Sequence, residues 1–289
     1  MIIKLAVAAA ILFVAEIIRE HYSFRIVRYQ VPSDRLKGMK GKCRIAFLSD
    51  LHNQEYGKGN GKLLEAIEKE RPDYIFIGGD MLVARKGSSY RAAADFVTKL
   101  PRICPVYYAN GNHEQRMKEQ TELYGNGYLD YRRELAEAGV IFLENATREI
   151  RIGDLPACVT GLEIPLEKHK KCREGGLRAE EINAWAGDSS SFFQILLAHN
   201  PVYMRAYYDW GAQLVLAGHL HGGIVRLPGI GGLISTGFKP FPKYAGGIYR
   251  NGRQTAIVGK GLGTHTIPVR LFNPAELVVL DLSEPCEIE

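Results

Sequence analysis

The sequence predicts an α/β protein with strands laid side by side. Two features lead to that expectation. Short apolar runs alternate with helix-patterned segments through the first half of the chain, and each apolar run ends in a cluster of polar residues. Such alternation builds a sheet covered by helices, and ligands of such sheets bind beyond the carboxyl ends of the strands. The 289 residues, 46% hydrophobic and 24% charged, have an ordinary globular composition and suffice for one large domain or two small ones. A net charge of +5 is compatible with an anionic substrate or surface and does not by itself indicate nucleic acid. Five scattered cysteines, Cys43, Cys104, Cys158, Cys172 and Cys286, form no C-x-x-C pair. They favour a reducing compartment over a disulfide scaffold.

Residues 2–18 are apolar apart from Lys4 and Glu16. As a helix they reach roughly 25 Å, short of a ~30 Å bilayer core. No small-x-small cleavage site follows. Residues 1–20 therefore read as an uncleaved membrane anchor, either a short span or a helix lying in the interface. Lys4 stands alone before the segment, while Arg19, Arg25, Arg28, Arg35 and Lys37 follow it. The positive-inside rule then places the globular part on the cytoplasmic face of the cell membrane. The exported face stays open, because a lone Lys before an apolar core also fits a signal anchor. Residues 21–42, rich in polar residues, Pro and Gly from Val31 on, read as a linker into a domain over 43–283.

Within that domain, the apolar run 45–48 is a strand followed by Asp50 and His52. In a strand, residues i and i+2 point to one side, which would deliver a carboxylate and an imidazole to one point. The 3.6-residue periodicity of 62–69 predicts a helix. A strand over 74–77 ends in Gly78-Gly79-Asp80, a helix covers 90–100, and a strand over 105–109 ends in Asn110-Gly111-Asn112-His113-Glu114. Residues 132–138 look helical, and 140–143, 149–152 and 157–160 look β-like. Residues 163–191 are charged, with Lys-His-Lys-Lys at 168–171. A solvated surface loop is the commoner explanation for such a run, although a long polar insertion also shapes substrate access in some enzymes. Strands resume at 194–198, ending in His199, and at 214–217, ending in Gly218-His219-Leu220-His221. A Gly- and Pro-rich stretch over 227–247 precedes strands at 255–258 and 276–280.

The residues just past the strands are Asp50, His52, Asp80, Asn112, His113, His199, His219 and His221, which include five of the eight histidines. Each piece alone has an ordinary reading. Asp-x-His and Gly-Gly-Asp are common turns, Asn112 could cap a helix, and His199 could be a core histidine. Five pieces in one order, each ending an apolar run, point instead to a shared centre. Mixed imidazole, carboxylate and amide ligands suit Mn²⁺, Fe²⁺ or Zn²⁺, and a seven-ligand set with one bridging member suits two ions rather than one.

The order D-x-H, G-D, G-N-H-E, H and G-H-x-H, from Asp50 to His221, resembles the calcineurin-like metallophosphoesterase superfamily. The flanking text (the apolar N-terminus, SDLH, GHLHGG with a Leu-Pro-Gly turn, and GLG with a later Pro-Val-Arg) resembles its bacterial YkuE/YaeI-type membrane-associated branch. The resemblance implies a four-layer α/β/β/α sandwich with a dinuclear site at one edge. It implies that Asp50, His52 and His221 hold one metal and Asn112, His199 and His219 the other. Asp80 would bridge both, and His113 would face the substrate. A metal-bridging hydroxide would attack phosphorus in line, with His113 stabilising the transition state or protonating the leaving oxygen. One departure matters. The protein Ser/Thr phosphatases carry G-D-x-x-D-R-G, whose second Asp orients the catalytic histidine. Here Val83, Ala84 and Arg85 stand at that place, which counts against a protein phosphatase and leaves the orienter of His113 unidentified. His265, where a small residue is expected, reads as an incidental polar residue.

The function expected is hydrolysis of membrane-proximal or lipid-linked phosphoesters, such as a UDP-2,3-diacylglucosamine-type pyrophosphate. The alternatives are a nuclease or nucleotide phosphodiesterase on the same metals and a non-catalytic metal-binding scaffold. The chain has no basic stripe with interleaved aromatics, so nucleic acid is not favoured as a partner.

Overall fold

The computed structural model describes residues 2–170, 176–223, 225–227, 231–234, 240–264 and 269–285. Its strands are β1 (Phe24–Pro32), β2 (Cys43–Leu48), β3 (Tyr74–Ile77), β4 (Val106–Tyr108), β5 (Val140–Phe142), β6 (Ala146–Ile152), β7 (Leu155–Leu162), β8 (Phe193–Ala198), β9 (Leu214–Ala217), β10 (Val225–Leu227), β11 (Gly231–Ile234), β12 (Gly247–Asn251), β13 (Gln254–Val258) and β14 (Ala275–Ser283). They form one six-stranded sheet in the order β1-β14-β2-β3-β4-β5, a second in the order β12-β13-β9-β8-β7-β6, and a β10-β11 pair. β2 through β5 run parallel, as do β7, β8, β9 and β13.

Side-chain alternation along the strands builds three cores. Ile45 and Phe47 of β2, with Leu280 of β14, meet Ile195 and Leu197 of β8 and Leu214 of β9 between the two sheets. Ala46 and Leu48, on the opposite face of β2, pack on Leu63 and Ile67 of the helix Gly61–Glu70 and on Phe96 and Tyr131. On the far face of the second sheet, Leu196 and Val215 pack on Ile182, Tyr207 and Trp210 from the helices Ala179–Ala186 and Met204–Trp210. Both faces of each sheet are thus buried, which explains why the parallel strands read as continuous apolar runs rather than alternating ones.

Three sequence expectations change here. Residues 21–42 do not all form a linker: β1 pairs in parallel with β14 over its whole length, from Phe24 against Ala275 to Pro32 against Ser283, and Val31, Leu36 and Met39 are buried between the sheets. The alternation of Phe24, Ile26 and Arg28 fits an edge strand. Residues 163–191 are not one loop, because short helices form at Leu166–Lys170 and Ala179–Ala186. The N-terminal apolar segment is a 20-residue helix, Ile2–His21, but no helix among the described residues is long and apolar enough to cross a membrane. Lys4, Glu16, Arg19 and Glu20 interrupt its apolar length, so the spanning form of the anchor is corrected. Cys172, Pro228, Gly229, His265, Pro268 and Cys286 lie outside the described residues.

Candidate metal centre

The parallel strands aim their carboxyl ends at one place. Asp50 and His52 follow β2, Asp80 follows β3, Asn112 and His113 follow β4, His199 follows β8, and His219 and His221 follow β9. The structure brings seven of them into one linked cluster, and the eighth, Asn112, immediately precedes His113 at the start of the helix Asn112–Glu119. Asp50, His52 and His221 form one group, His52, Asp80 and His113 a second, and Asp80, His199 and His219 a third, with the potential ligand atoms in each group within 4.8 Å of one another. Nε2 of His52 and Nε2 of His221 lie 3.2 Å apart. Asp50 Oδ1 is 3.3 Å from His221 Nε2 and 3.8 Å from His199 Nε2. Asp80 Oδ2 is central: 3.1 Å from His199 Nε2, 3.8 Å from His52 Nε2 and 4.0 Å from His113 Nε2. All of these residues are buried except His219, which is partly exposed.

The convergence does not arise as the i, i+2 strand rule predicts. Asp50, His52, Asp80, His219 and His221 all lie beyond their strands in left-handed backbone, at φ +53°, +49°, +54°, +71° and +51°. Each such non-glycine residue carries strain of order 1–3 kcal/mol, a cost concentrated at functional sites in general. Here each turn bends the chain away from its strand and swings the side chain into the shared centre. The glycines between them make room: a Cβ on Gly79 (φ +86°) would lie 2.0 Å from Gly111 N, and one on Gly111 would lie 2.2 Å from Asp80 Oδ1.

Contacts outside the centre fix which nitrogen faces it. His52 Nδ1 lies 3.1 Å from Leu82 O, His199 Nδ1 2.7 Å from Gly78 O, and His221 Nδ1 3.3 Å from Gly263 O. A carbonyl oxygen only accepts, so each Nδ1 donates, and in the neutral ring the Nε2 that faces the centre carries the lone pair. Asp80 Oδ1 accepts the His113 backbone N–H at 2.8 Å, which leaves Oδ2 for the centre. The Asp50 carboxylate accepts the His219 N–H at 3.0 and 3.2 Å.

His113 has the opposite polarity. The backbone N–H of Ala84 donates to its Nδ1 at 2.8 Å. Nδ1 must therefore accept, and a neutral ring carries its proton on Nε2, the nitrogen aimed at the centre. The orienting group that sequence reading could not find is a main-chain amide, standing beside the position where an aspartate was expected. Glu114 is a second residue that sequence reading passed over. Its buried carboxylate accepts the N–H groups of Asp80, Leu82 and Gly111 at 2.7, 3.0 and 3.0 Å and the Tyr108 hydroxyl at 3.0 Å, tying the Asp80 turn to the start of the helix Asn112–Glu119. A third is His169, from the stretch expected to be solvated: its ring centroid lies 5.6 Å from that of His219 and 6.4 Å from that of His199. The Lys-His-Lys-Lys run offered a signal, but its charge pointed to solvent.

Charge is concentrated at this centre. Burial raises the Asp50 carboxyl to about 6. Burial also acts upward on Asp80, but the His199, His113 and His52 imidazoles outweigh it and hold that carboxyl well below its ordinary range. Burial and the neighbouring His199 push His169 down to about 3. Two donor atoms test whether cations fit. Asn112 Oδ1 is buried with no hydrogen-bond partner, and His199 Nε2 faces the Asp80 carboxylate, 3.1 Å from Oδ2. Buried polar atoms left without a partner are rare unless an ion or water satisfies them. With the Asp80 carboxylate and several imidazoles gathered at the centre, the donor set fits a divalent cation.

Residues 43–223, more than half of the chain, match the family model described as calcineurin-like phosphoesterase. The chain is 25% identical over 265 residues to "Phosphodiesterase YaeI" of Escherichia coli (strain K12), covering 90% of this chain and 88% of that one. It is 25% identical over 243 residues to "Uncharacterized metallophosphoesterase YkuE" of Bacillus subtilis (strain 168), covering 83% and 78%. Among solved structures, it is similar to a dimetal phosphatase from Danio rerio at 12% identity and a TM-score of 0.40, covering 76% of this chain and 88% of that one. The chain belongs to the calcineurin-like phosphoesterase family and is a hydrolase of phosphoesters.

Proposed function

We propose that Asp50, His52 and His221 hold one divalent cation, that Asn112, His199 and His219 hold a second, and that Asp80 bridges the two. Mn²⁺, Fe²⁺ and Zn²⁺ all suit this donor set. The observation that carries the reading is the buried Asp80 carboxylate shared among three imidazoles at the junction of three groups of potential ligand atoms. When bound, a metal pair supplies positive charge to phosphate oxygens and acidifies water so that hydrolysis runs near neutral pH. The chain's own contribution is orientation. Main-chain carbonyls lock the ligand rings, and Glu114 fixes the Asp80 turn. The Ala84 amide holds His113 so that Nε2–H can donate to a phosphoryl or leaving-group oxygen, the work of an oxyanion-stabilising donor. Catalytic roles thus fall to His113 and Asp80. The packed faces on both sides of each sheet support the α/β/β/α sandwich reading.

For the substrate we infer a membrane-proximal or lipid-linked phosphoester, with a UDP-2,3-diacylglucosamine-type pyrophosphate as one candidate. The support is the N-terminal helix. Ile3, Leu5, Val7, Ile11, Phe13, Val14 and Ile18 are all exposed, with Lys4 near the start of the helix and Arg19 near its end. An exposed apolar helix with basic flanks suits the lipid–water interface rather than a span. It would hold the domain against the membrane, on the cytoplasmic face by the charge rule. The test uses detergent-extracted full-length protein, stripped by chelator and reloaded with Mn²⁺. The expected result is turnover of bis-p-nitrophenyl phosphate that vanishes on chelation and returns with metal, and a lipid pyrophosphate cleaved faster than free nucleotides or DNA. Turnover that survives complete chelation would contradict the metal reading, and a preference for nucleotides would replace the lipid one.

A further inference from the structure

His221, Gly222 and Gly223 are three consecutive residues in left-handed backbone, at φ +51°, +72° and +89°. The glycines adopt this freely, whereas the histidine is held in it against its preference. One side-chain amide closes the turn: Asn273 Nδ2 donates to His221 O and to Gly223 O, both at 2.6 Å. The fit is close, since a Cβ on Gly222 would lie 2.3 Å from Asn273 Oδ1. Asn273 is fully buried, and its own backbone N–H donates to Glu20 Oε2 at 3.1 Å. Glu20, only 1% exposed, sits in the last turn of the N-terminal helix. The same helix end is tied a second time: Gln54 Nε2 donates to His21 O at 3.3 Å, two residues past His52.

We propose that Asn273 is a positioning residue for His221, and that Glu20, acting through Asn273, makes the N-terminal helix part of the support of the metal centre. An amide is well suited to the turn because it offers two N–H donors to two carbonyls that point the same way. A carboxylate is suited to the next step because a buried main-chain N–H needs an acceptor there. The inference rests on the assignment of His221 as a metal ligand. Partners of ligands typically govern metal affinity by 10–100-fold.

The test is Mn²⁺ titration calorimetry and thermal melting on metal-stripped, full-length protein: wild type, Asn273→Ala, Glu20→Ala, Glu20→Gln and the Asn273→Ala/Glu20→Ala pair. Wild type should bind two Mn²⁺. Asn273→Ala should weaken one of them by about tenfold or more and leave the other within about twofold. Glu20→Ala should weaken the same ion, and Glu20→Gln, which keeps an acceptor oxygen, should restore it. In the Asn273→Ala background, Glu20→Ala should still lower Tm but should not weaken the metal further. If Asn273→Ala does not fold, the contrast between Glu20→Ala and Glu20→Gln carries the test. Two Mn²⁺ sites unchanged by Glu20→Ala and Asn273→Ala would overturn the inference, as would fully additive losses in the pair. Wild-type protein that binds no Mn²⁺ would remove the metal centre itself, and this inference with it.

Discussion

Asp80→Ala is expected to reduce kcat on bis-p-nitrophenyl phosphate by roughly 10³-fold or more, beyond the 10–100-fold typical of groups that only support a ligand. Asp80 Oδ2 lies within 4.0 Å of His52, His113 and His199 at once, while Oδ1 accepts the His113 backbone N–H. Removing it takes away both the shared acceptor between the two halves of the centre and the anchor of the helix that starts at Asn112. Asp80→Asn separates the two effects, because it keeps an oxygen for the His113 N–H and removes the charge. Its circular dichroism and Tm should match wild type, while turnover should fall as far as in Asp80→Ala. Turnover within tenfold of wild type in both variants would show that the centre works without the Asp80 carboxylate, against its proposed bridging role.

His113→Ala is expected to lower kcat by about 10²–10³-fold, the range for loss of one preorganised donor, with the amount of bound Mn²⁺ unchanged. This split follows from the direction of its hydrogen bonds. The histidines proposed as ligands, His52, His199 and His221, direct Nδ1 at carbonyls, so that a neutral ring would keep an Nε2 lone pair for a cation. His113 receives the Ala84 N–H at Nδ1, so its Nε2 carries a proton and cannot serve as a metal donor in that state. Metal analysis by plasma mass spectrometry, run alongside steady-state kinetics, distinguishes the roles. Loss of one metal in His113→Ala would make it a ligand, and an unchanged kcat would remove it from the chemistry.

Much of the centre was legible in the sequence because its residues follow directly on apolar runs. Asp50, Asp80, Asn112, His199 and His219 each lie within a few residues of a strand end, and parallel strands fix where those ends go. The way the side chains converge was not legible. Strand alternation predicts that Asp50 and His52 share a face, whereas both sit in left-handed turns, a conformation that residue type alone does not announce for Asp or His. The orienter of His113 was invisible for a different reason. A main-chain N–H does its work whatever side chain position 84 bears, so the departure from G-D-x-x-D-R-G removed a side chain without leaving the ring unsupported. β1 was missed because its pairing is non-local: Phe24 lies beside Ala275, near the opposite end of the chain. His169 was missed because local charge dominated the reading of its segment, while the short helix Leu166–Lys170 places its ring against His219. Asn273 carries no motif; its importance lies in two carbonyls 50 and 52 positions away.

The central claim is that seven side chains spread from Asp50 to His221 close around a pair of cations. Anomalous diffraction from crystals of the full-length protein grown with Mn²⁺ tests it most directly. Two peaks are expected, one among Asp50, His52 and His221 and one among Asn112, His199 and His219, with the Asp80 carboxylate between them. A single peak, or manganese bound away from Asp80, would contradict the account.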